Sequence, residues 1–162
     1  MIAGTYAESL RVAKGMGYDG VEIILGDPDQ FDLGSFKALL LEYNLKISVI
    51  DSGGIRYLFN AALVSANEQQ MEFALEKLKI SIRHCQQLGC IQQVGVARGF
   101  AVPGRPKRWF KDCLVEVLRE AAAYAARFIV AIVFEYTNRF EINTINTGAE
   151  AREIIDRVGS PN

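Results

Sequence analysis

Residues 131–150 read AIVFEYTNRFEINTINTGAE, the end of an apolar run that terminates in a carboxylate. The run from Phe128 to Phe134 contains only apolar residues, a pattern typical of a strand buried on both faces of a sheet. Glu135 follows at once, and Arg139 and Glu141 lie just beyond it. Burying an ionised carboxyl group is costly unless a cation, a metal or hydrogen-bond donors compensate it. Glu135 is therefore either a paired structural group or part of a functional site.

The rest of the chain alternates amphipathic helices with short apolar strands. Thr5 with Glu8, Asn67 with Gln70 and Thr147 with Glu150 have the spacing of capping boxes, and Asp32 can cap a further helix. The sequence predicts strands at 21–25, 46–51, 90–97 and 129–136, and five helices beginning near 5, 32, 67, 110 and 147. This order predicts an α/β fold with a parallel sheet covered by helices, and a single domain over residues 1–162.

The charge, the apolar segments and the cysteines of the sequence limit which partners and which cellular location we expect. The chain has 18 Lys and Arg against 19 Asp and Glu, so a net charge of −1 offers no general attraction for nucleic acid or an anionic membrane. The start of the chain lacks the pattern of a secretory signal, and the apolar run before Glu135 is far too short for a membrane helix. Cys85, Cys90 and Cys113 lack metal-finger spacing and suit a reducing compartment, so we expect a cytoplasmic protein.

The predicted fourth strand turns Glu135 toward a particular face of the sheet. By the two-residue period of a strand, one face carries Ile129, Ala131, Val133 and Glu135, and the other carries Val130, Ile132, Phe134 and Tyr136. The face with smaller residues suits a barrel interior, and the bulkier face suits packing under helices. Ligands of parallel α/β sheets bind at the carboxyl ends of the strands, so Glu135 is predicted to point into the mouth of a barrel.

Four segments carry a resemblance to a known family: GMGYDGVEI, LKISVIDSGG, LGCIQQVGVARG and FEYTNRFEINTINTGAEAREIIDRVGSPN. They resemble the xylose isomerase-like sugar isomerases and epimerases, TIM barrels that include the ketose 3-epimerases. The resemblance implies that Glu135 binds a divalent metal, Mn, Mg or Zn, and transfers a proton at the carbon beside a carbonyl. It also implies that Glu141 contacts a sugar or sugar phosphate substrate, and we assign Arg139 to the same substrate region.

The length departs from the family pattern. A (β/α)₈ barrel typically has about 250 residues and eight strands, whereas this sequence predicts four strands in 162 residues. We therefore expect a partial TIM barrel in which only Glu135 matches the metal ligands of the family. Its outer strands would have unpaired edges, which predicts a homo-oligomer that covers them. A non-catalytic α/β module stabilised by self-association is the alternative, and an endonuclease of the related abasic-site branch is disfavoured by the single histidine.

Other polar residues have two interpretations each. Glu22 could approach the barrel mouth or form a structural hydrogen bond, and Asp51 with the following Ser-Gly-Gly could line a pocket or form an ordinary turn. Arg139 could pair with Glu141 or Glu135 instead of contacting substrate. The loop after the third strand carries four basic residues around Trp109: Arg98, Arg105, Lys107 and Arg108. These side chains could contact a phosphate group of the substrate or simply be solvated. His84 is predicted to be an ordinary helical histidine.

Overall fold

The computed structural model of the protein describes residues 4–162 and contains a four-stranded parallel sheet with the strand order β1-β2-β3-β4. The strands are β1 (Gly20–Ile24), β2 (Lys46–Asp51), β3 (Ile91–Val94) and β4 (Ile132–Phe134). Each strand pairs with the next one along the chain, and helical segments connect them. This confirms the predicted parallel α/β architecture.

Six α-helices accompany the strands in the described part of the chain. They are α1 (Tyr6–Gly15), α2 (Leu33–Glu42), α3 (Gly53–Phe59), α4 (Glu68–Leu88), α5 (Lys107–Ala126) and α6 (Gly148–Val158). Short 3₁₀ turns follow β1 at Pro28–Gln30 and β3 at Val96–Arg98. The predicted caps form: the side chains of Thr5, Asp32, Asn67 and Thr147 each accept a backbone N–H in the first turn of their helices.

Helix α3 was not predicted, because Ser52-Gly53-Gly54 reads as a turn. These residues instead begin a helix of two turns that ends at Asn60 in the left-handed conformation. Gly54 allows α3 to approach the end of β1 closely, since a Cβ at this position would overlap the carbonyl oxygen of Leu25. The glycines are thus explained by helix packing at the carboxyl end of the sheet.

The third and fourth strands are shorter than predicted. Strand β3 ends at Val94, because Gly95 turns the chain into the 3₁₀ turn. The predicted start of β4 at Ile129 is wrong: Ile129 has φ +58° and is 95% exposed in the connection that leaves α5. Tyr136 also lies outside the strand and is exposed instead of packing under helices.

The helices cover one face of the sheet and leave the other open. Ile23, Ile47, Ile50 and Val94 are buried and pack in a continuous apolar core with the helices. On β4, Ile132 and Phe134 are half-buried against this core, whereas Val133 is 41% exposed on the opposite face. Within residues 4–162, no helix is both long and apolar enough to cross a bilayer.

Candidate functional site

Three carboxylates lie at the open face and carboxyl end of the sheet: Glu22 on β1, Asp51 at the end of β2 and Glu135 directly after β4. Asp51 and Glu135 both flank Gly95, since a Cβ built there would lie 3.9 Å from Asp51 Oδ1 and 2.5 Å from Glu135 Oε2. In the described residues, none of the three carboxylates forms an ion pair with a lysine, arginine or histidine. The parallel sheet therefore gathers negative charge without a directly bonded counter-ion.

Burial and the mutual repulsion of the carboxylates raise the pKa of two of them, Asp51 and Glu135. Burial, followed by the charges of Glu135 and Glu22, raises the pKa of Asp51 from 3.8 to about 6, although a hydrogen bond from the Gly53 N–H (2.9 Å) opposes this. The pKa of Glu135 is raised by burial and then by Glu22, against the lowering effect of the Arg98 charge and the Gln93 amide. Perturbed carboxylates at the carboxyl ends of parallel strands are typical of a functional site.

Glu135 is held by groups from the end of β3. Its backbone N–H donates to Val94 O (3.0 Å), and Gln93 Nε2 donates to its Oε2 (3.1 Å). Its own carbonyl accepts from Arg98 Nη1 (3.0 Å). Since Gln93 is on the open face, these contacts show that Glu135 points to that face, as predicted.

The loop of residues 137–145 carries the other two predicted site residues. Glu141 is exposed, and its Oε1 accepts a hydrogen bond from Asn138 Nδ2. Arg139 is exposed and pairs with neither Glu141 nor Glu135 in the described structure. Phe140, between them, is 94% exposed. The structure therefore places Glu141 and Arg139 on the loop that follows Glu135, and their contact with substrate stays a prediction.

Arg98 does not belong with the basic loop to which the sequence assigned it. Its side chain is fully buried, and it bonds to the backbone on either side of the 137–145 loop, so neither the phosphate contact nor the solvated position is correct. Arg105, Lys107 and Arg108 are exposed, and the Arg105 guanidinium lies 5.1 Å from the centre of the Trp109 ring.

Of the remaining candidate residues, Glu22 lies near Glu135, whereas His84 lies away from it. The side chain of Glu22 makes no hydrogen bond within residues 4–162, and its charge acts on Asp51 and Glu135. His84 lies on α4 with its Nε2 2.9 Å from Pro28 O, away from the site. Cys85 and Cys90 are free and buried, and Cys113 is free and half-buried.

Sequence reasoning missed Gln93, Gly95 and Arg98 as partners of Glu135. All three lie in the QQVGVAR segment, where two glutamines interrupt an apolar strand. Gln92 faces the core, where Ser81 Oγ donates to it (2.6 Å), while Gln93 faces Glu135. The sequence signal for these partners was the pair of polar residues, Gln92 and Gln93, in an otherwise apolar strand.

The oxygen atoms of the side chains around Glu135 are of the type that binds a divalent cation. Carboxylate and amide oxygens are suitable ligands for Mg²⁺ or Mn²⁺, and a cation beside Glu135 would relieve the repulsion from Glu22 and Asp51. The described residues contain no group of three or more His, Cys, Asp or Glu side chains close enough to hold a metal together. Glu135 can therefore serve as one ligand of a site that needs further donors.

This open parallel sheet with a carboxylate at its mouth defines a part of a TIM barrel. Residues 10–162 match the xylose isomerase-like TIM barrel family, and the chain belongs to that family.

Among its relatives is an L-ribulose 3-epimerase of Methylomonas sp. (strain DH-1), which is 32% identical over 161 residues that cover 96% of this chain and 54% of the relative. A crystal structure of D-allulose 3-epimerase from Methylomonas sp. in complex with D-allulose is similar with a TM-score of 0.77 and 28% identity, over 96% of this chain and 54% of that one. A 3-keto-D-glucoside 4-epimerase from E. coli shares the fold, with a TM-score of 0.81 and 21% identity, over 98% of this chain and 61% of that one. The chain spans about half the length of the curated relatives it matches, and its four strands are a partial barrel.

Proposed function

We propose that the chain supplies the proton-transfer side of a metal-dependent ketose 3-epimerase site, with Glu135 as both metal ligand and catalytic base. The observation that carries this proposal is the position of Glu135, which lies at the open mouth of the sheet and is bonded by Gln93. The similarity to an L-ribulose 3-epimerase and to a D-allulose 3-epimerase supports a ketose, free or phosphorylated, as the substrate.

The chemistry requires a base beside the reacting carbon. When bound, a divalent ion polarises the carbonyl and the neighbouring hydroxyl of the sugar. The carboxylate of Glu135 takes the proton from the carbon next to the carbonyl, and the electrons of the C–H bond move onto the carbonyl oxygen. Inversion would need a second proton donor on the opposite face of the same carbon, a role that Glu135 cannot fill because it lies on the face from which the proton is removed. Glu141 and Arg139, on the loop after Glu135, would contact the sugar hydroxyls near this carbon.

We also propose that the assembled form is a homo-oligomer in which a second copy covers the open face and the sheet edges. In the part of the chain that the structure describes, strands β1 and β4 are each paired on one side only, and Val133 is exposed on the open face. Beside β1, a groove of about 720 Å³ is lined by residues of α1 and β1 that include Leu10, Ala13 and Met16. Two copies related by a twofold axis through the sheet mouth would place β4 of each beside β1 of the other. Sedimentation velocity at rising concentration should show a dimer or a larger assembly, and a monomer at the highest concentration would refute this part.

A non-catalytic role is favoured by one observation, the lack of a three-ligand metal group in residues 4–162. On this alternative the chain binds Mn²⁺ no better than any exposed carboxylate would and assembles without turning over a ketose.

Mn²⁺ binding and epimerisation distinguish these proposals. We expect Mn²⁺ titration followed by electron paramagnetic resonance to show binding at millimolar or lower concentration, and Glu135→Gln to abolish it. Glu42→Gln, an exposed carboxylate at the end of α2, is the matched control for charge. Interconversion of D-fructose with D-allulose, and of L-ribulose with its 3-epimer, would be measured on the same samples. Mn²⁺ binding that is equal in the wild type and Glu135→Gln would refute the role of Glu135.

A further inference from the structure

Arg98 is fully buried in the 3₁₀ turn after β3, and its guanidinium lies beneath the proposed site. Within residues 4–162 it forms no ion pair with a carboxylate. A buried cation is retained at considerable cost unless its donors are satisfied. Here the partners are backbone carbonyls and one hydroxyl, which indicates that the residue organises the chain around it.

The six hydrogen bonds of Arg98 join three separate segments. Nη1 donates to Gly95 O (2.8 Å), to Glu135 O (3.0 Å) and to Thr137 Oγ1 (3.3 Å). Nε and Nη2 donate to Thr144 O (3.1 and 2.7 Å), and Nη2 also donates to Ile145 O (3.1 Å). A single side chain thus bonds the end of β3, the end of β4, and both ends of the 137–145 loop.

The loop needs this support for a local reason. Ile145 has φ +48°, a left-handed conformation that is sterically unfavourable for a β-branched residue. Surrounding structure must impose such a conformation, and conformations of this kind concentrate at functional sites. The bond from Arg98 to Ile145 O, together with the burial of the Ile145 side chain, holds the chain in it. Asn146 Nδ2 also bonds across the base of the loop, where it donates to Thr137 O (2.7 Å).

We infer that Arg98 is the positioning residue of this site: it fixes the spacing between Glu135 and the loop that carries Glu141, without touching substrate. The inference rests on the proposed function for the identity of the site, but its geometric content is independent of metal binding. A lysine at position 98 would keep the positive charge yet could not reach carbonyls on all three segments, because its donors share a single nitrogen. Arg98→Lys therefore separates the effect of the hydrogen-bond geometry of Arg98 from the effect of its charge.

Hydrogen–deuterium exchange of the full chain in EDTA tests the inference. We expect the amides of residues 137–146 to exchange about tenfold faster or more in Arg98→Lys and Arg98→Met than in the wild type. Ile82→Ala, a fully buried change in α4, is the control for general loss of stability, and it should accelerate this loop no more than the rest of the sheet. If Arg98→Met does not fold, Thr137→Val removes the Arg98 bond to Thr137 alone and should loosen the same loop to a smaller extent.

The affinity for Mn²⁺ provides the functional readout. Arg98→Lys should weaken Mn²⁺ binding severalfold, whereas Ile82→Ala should leave it unchanged in the folded fraction. Equal loop exchange in Arg98→Lys and Ile82→Ala would overturn the inference alone. A wild-type chain that binds no Mn²⁺ while its Arg98 variants still loosen the loop selectively would overturn the proposed function, and with it the site that Arg98 serves.

Discussion

Replacing Asp51 with Asn should stabilise the metal-free protein at neutral pH and leave it almost unchanged near pH 4. Asp51 lies at the end of β2, and burial and the neighbouring carboxylates raise its pKa to about 6 from an ordinary value of 3.8. The folded state therefore holds the proton of Asp51 more tightly than the unfolded state does. Between pH 4 and pH 6 the folded chain binds more protons than the unfolded chain, so the free energy of unfolding falls as the pH rises through this window.

The size of the effect follows from the pKa difference between the two states. A difference of about 2 pKa units corresponds to a penalty of about 3 kcal/mol once the pH is well above 6. At pH 4, where Asp51 is protonated in the folded state and only partly ionised in the unfolded state, the same relation gives about 0.5 kcal/mol. Asn is nearly isosteric, and its Oδ1 can still accept the hydrogen bond from the Gly53 N–H, so the variant removes the charge with little change in packing.

Urea unfolding in EDTA at pH 4, 5, 6, 7 and 8 measures this difference. We expect Asp51→Asn to be more stable than the wild type by about 2 to 3 kcal/mol at pH 7 and pH 8, with the gain shrinking toward pH 4. Asp19→Asn removes one negative charge at an exposed position before β1 and controls for net charge. A gain that is the same at every pH, or a loss at pH 8, would show that Asp51 is not destabilised by its surroundings.

Two further changes test the packing of the site and its glycines. Gly54→Ala should destabilise the protein by about 2 to 4 kcal/mol in urea unfolding because its Cβ overlaps Leu25 O, whereas Gly15→Ala, with nothing within 4 Å, should stabilise α1 by about 0.5 to 1 kcal/mol. Similar effects at the two positions would contradict the close approach of α3 to β1. The substitution Gly95→Ala places a Cβ 2.5 Å from Glu135 Oε2, so the carboxylate of Glu135 must move. We expect the affinity of the protein for Mn²⁺ to fall at least about tenfold as a result. Unchanged affinity in a folded Gly95→Ala would show that the carboxylate position beside Gly95 is not the one that binds metal.

The fold was largely predictable because its signals are local. Side chains such as Thr5 and Asn67 cap helices within three residues of themselves, and apolar runs of a few residues identify the strands. These signals fix the number and order of the strands, and the parallel arrangement follows from the helices between them. Helix α3 was not predicted because Gly54 is explained by its contact with Leu25 after β1, about 29 residues earlier in the chain.

The site was predictable in part for the same reason. The place of Glu135 follows from the two-residue period of its strand, which the chain keeps from Val130 to Glu135. The surroundings of Glu135 depend on β3, which is about 40 residues away in sequence, so the roles of Gln93 and Arg98 could not be derived from spacing. Arg98 in particular reads as a loop cation, and its burial is explained mainly by carbonyls distant in sequence, those of Glu135, Thr144 and Ile145.

The charges on the two sides of Glu135 bear on the two roles proposed for it, metal binding and proton transfer. Burial and then the charge of Glu22 on the open face raise the pKa of Glu135, and the same negative charge would favour a cation beside it. Beneath it, the buried charge of Arg98 lowers its pKa and favours the ionised form that a ligand or base requires. Because the acidic groups sit on strands and Arg98 is bonded to the backbone, this balance is fixed by the fold rather than by the flexible ends of side chains. In the proposed function, a base held between opposing charges on rigid elements would keep a fixed position relative to the carbon from which it takes the proton.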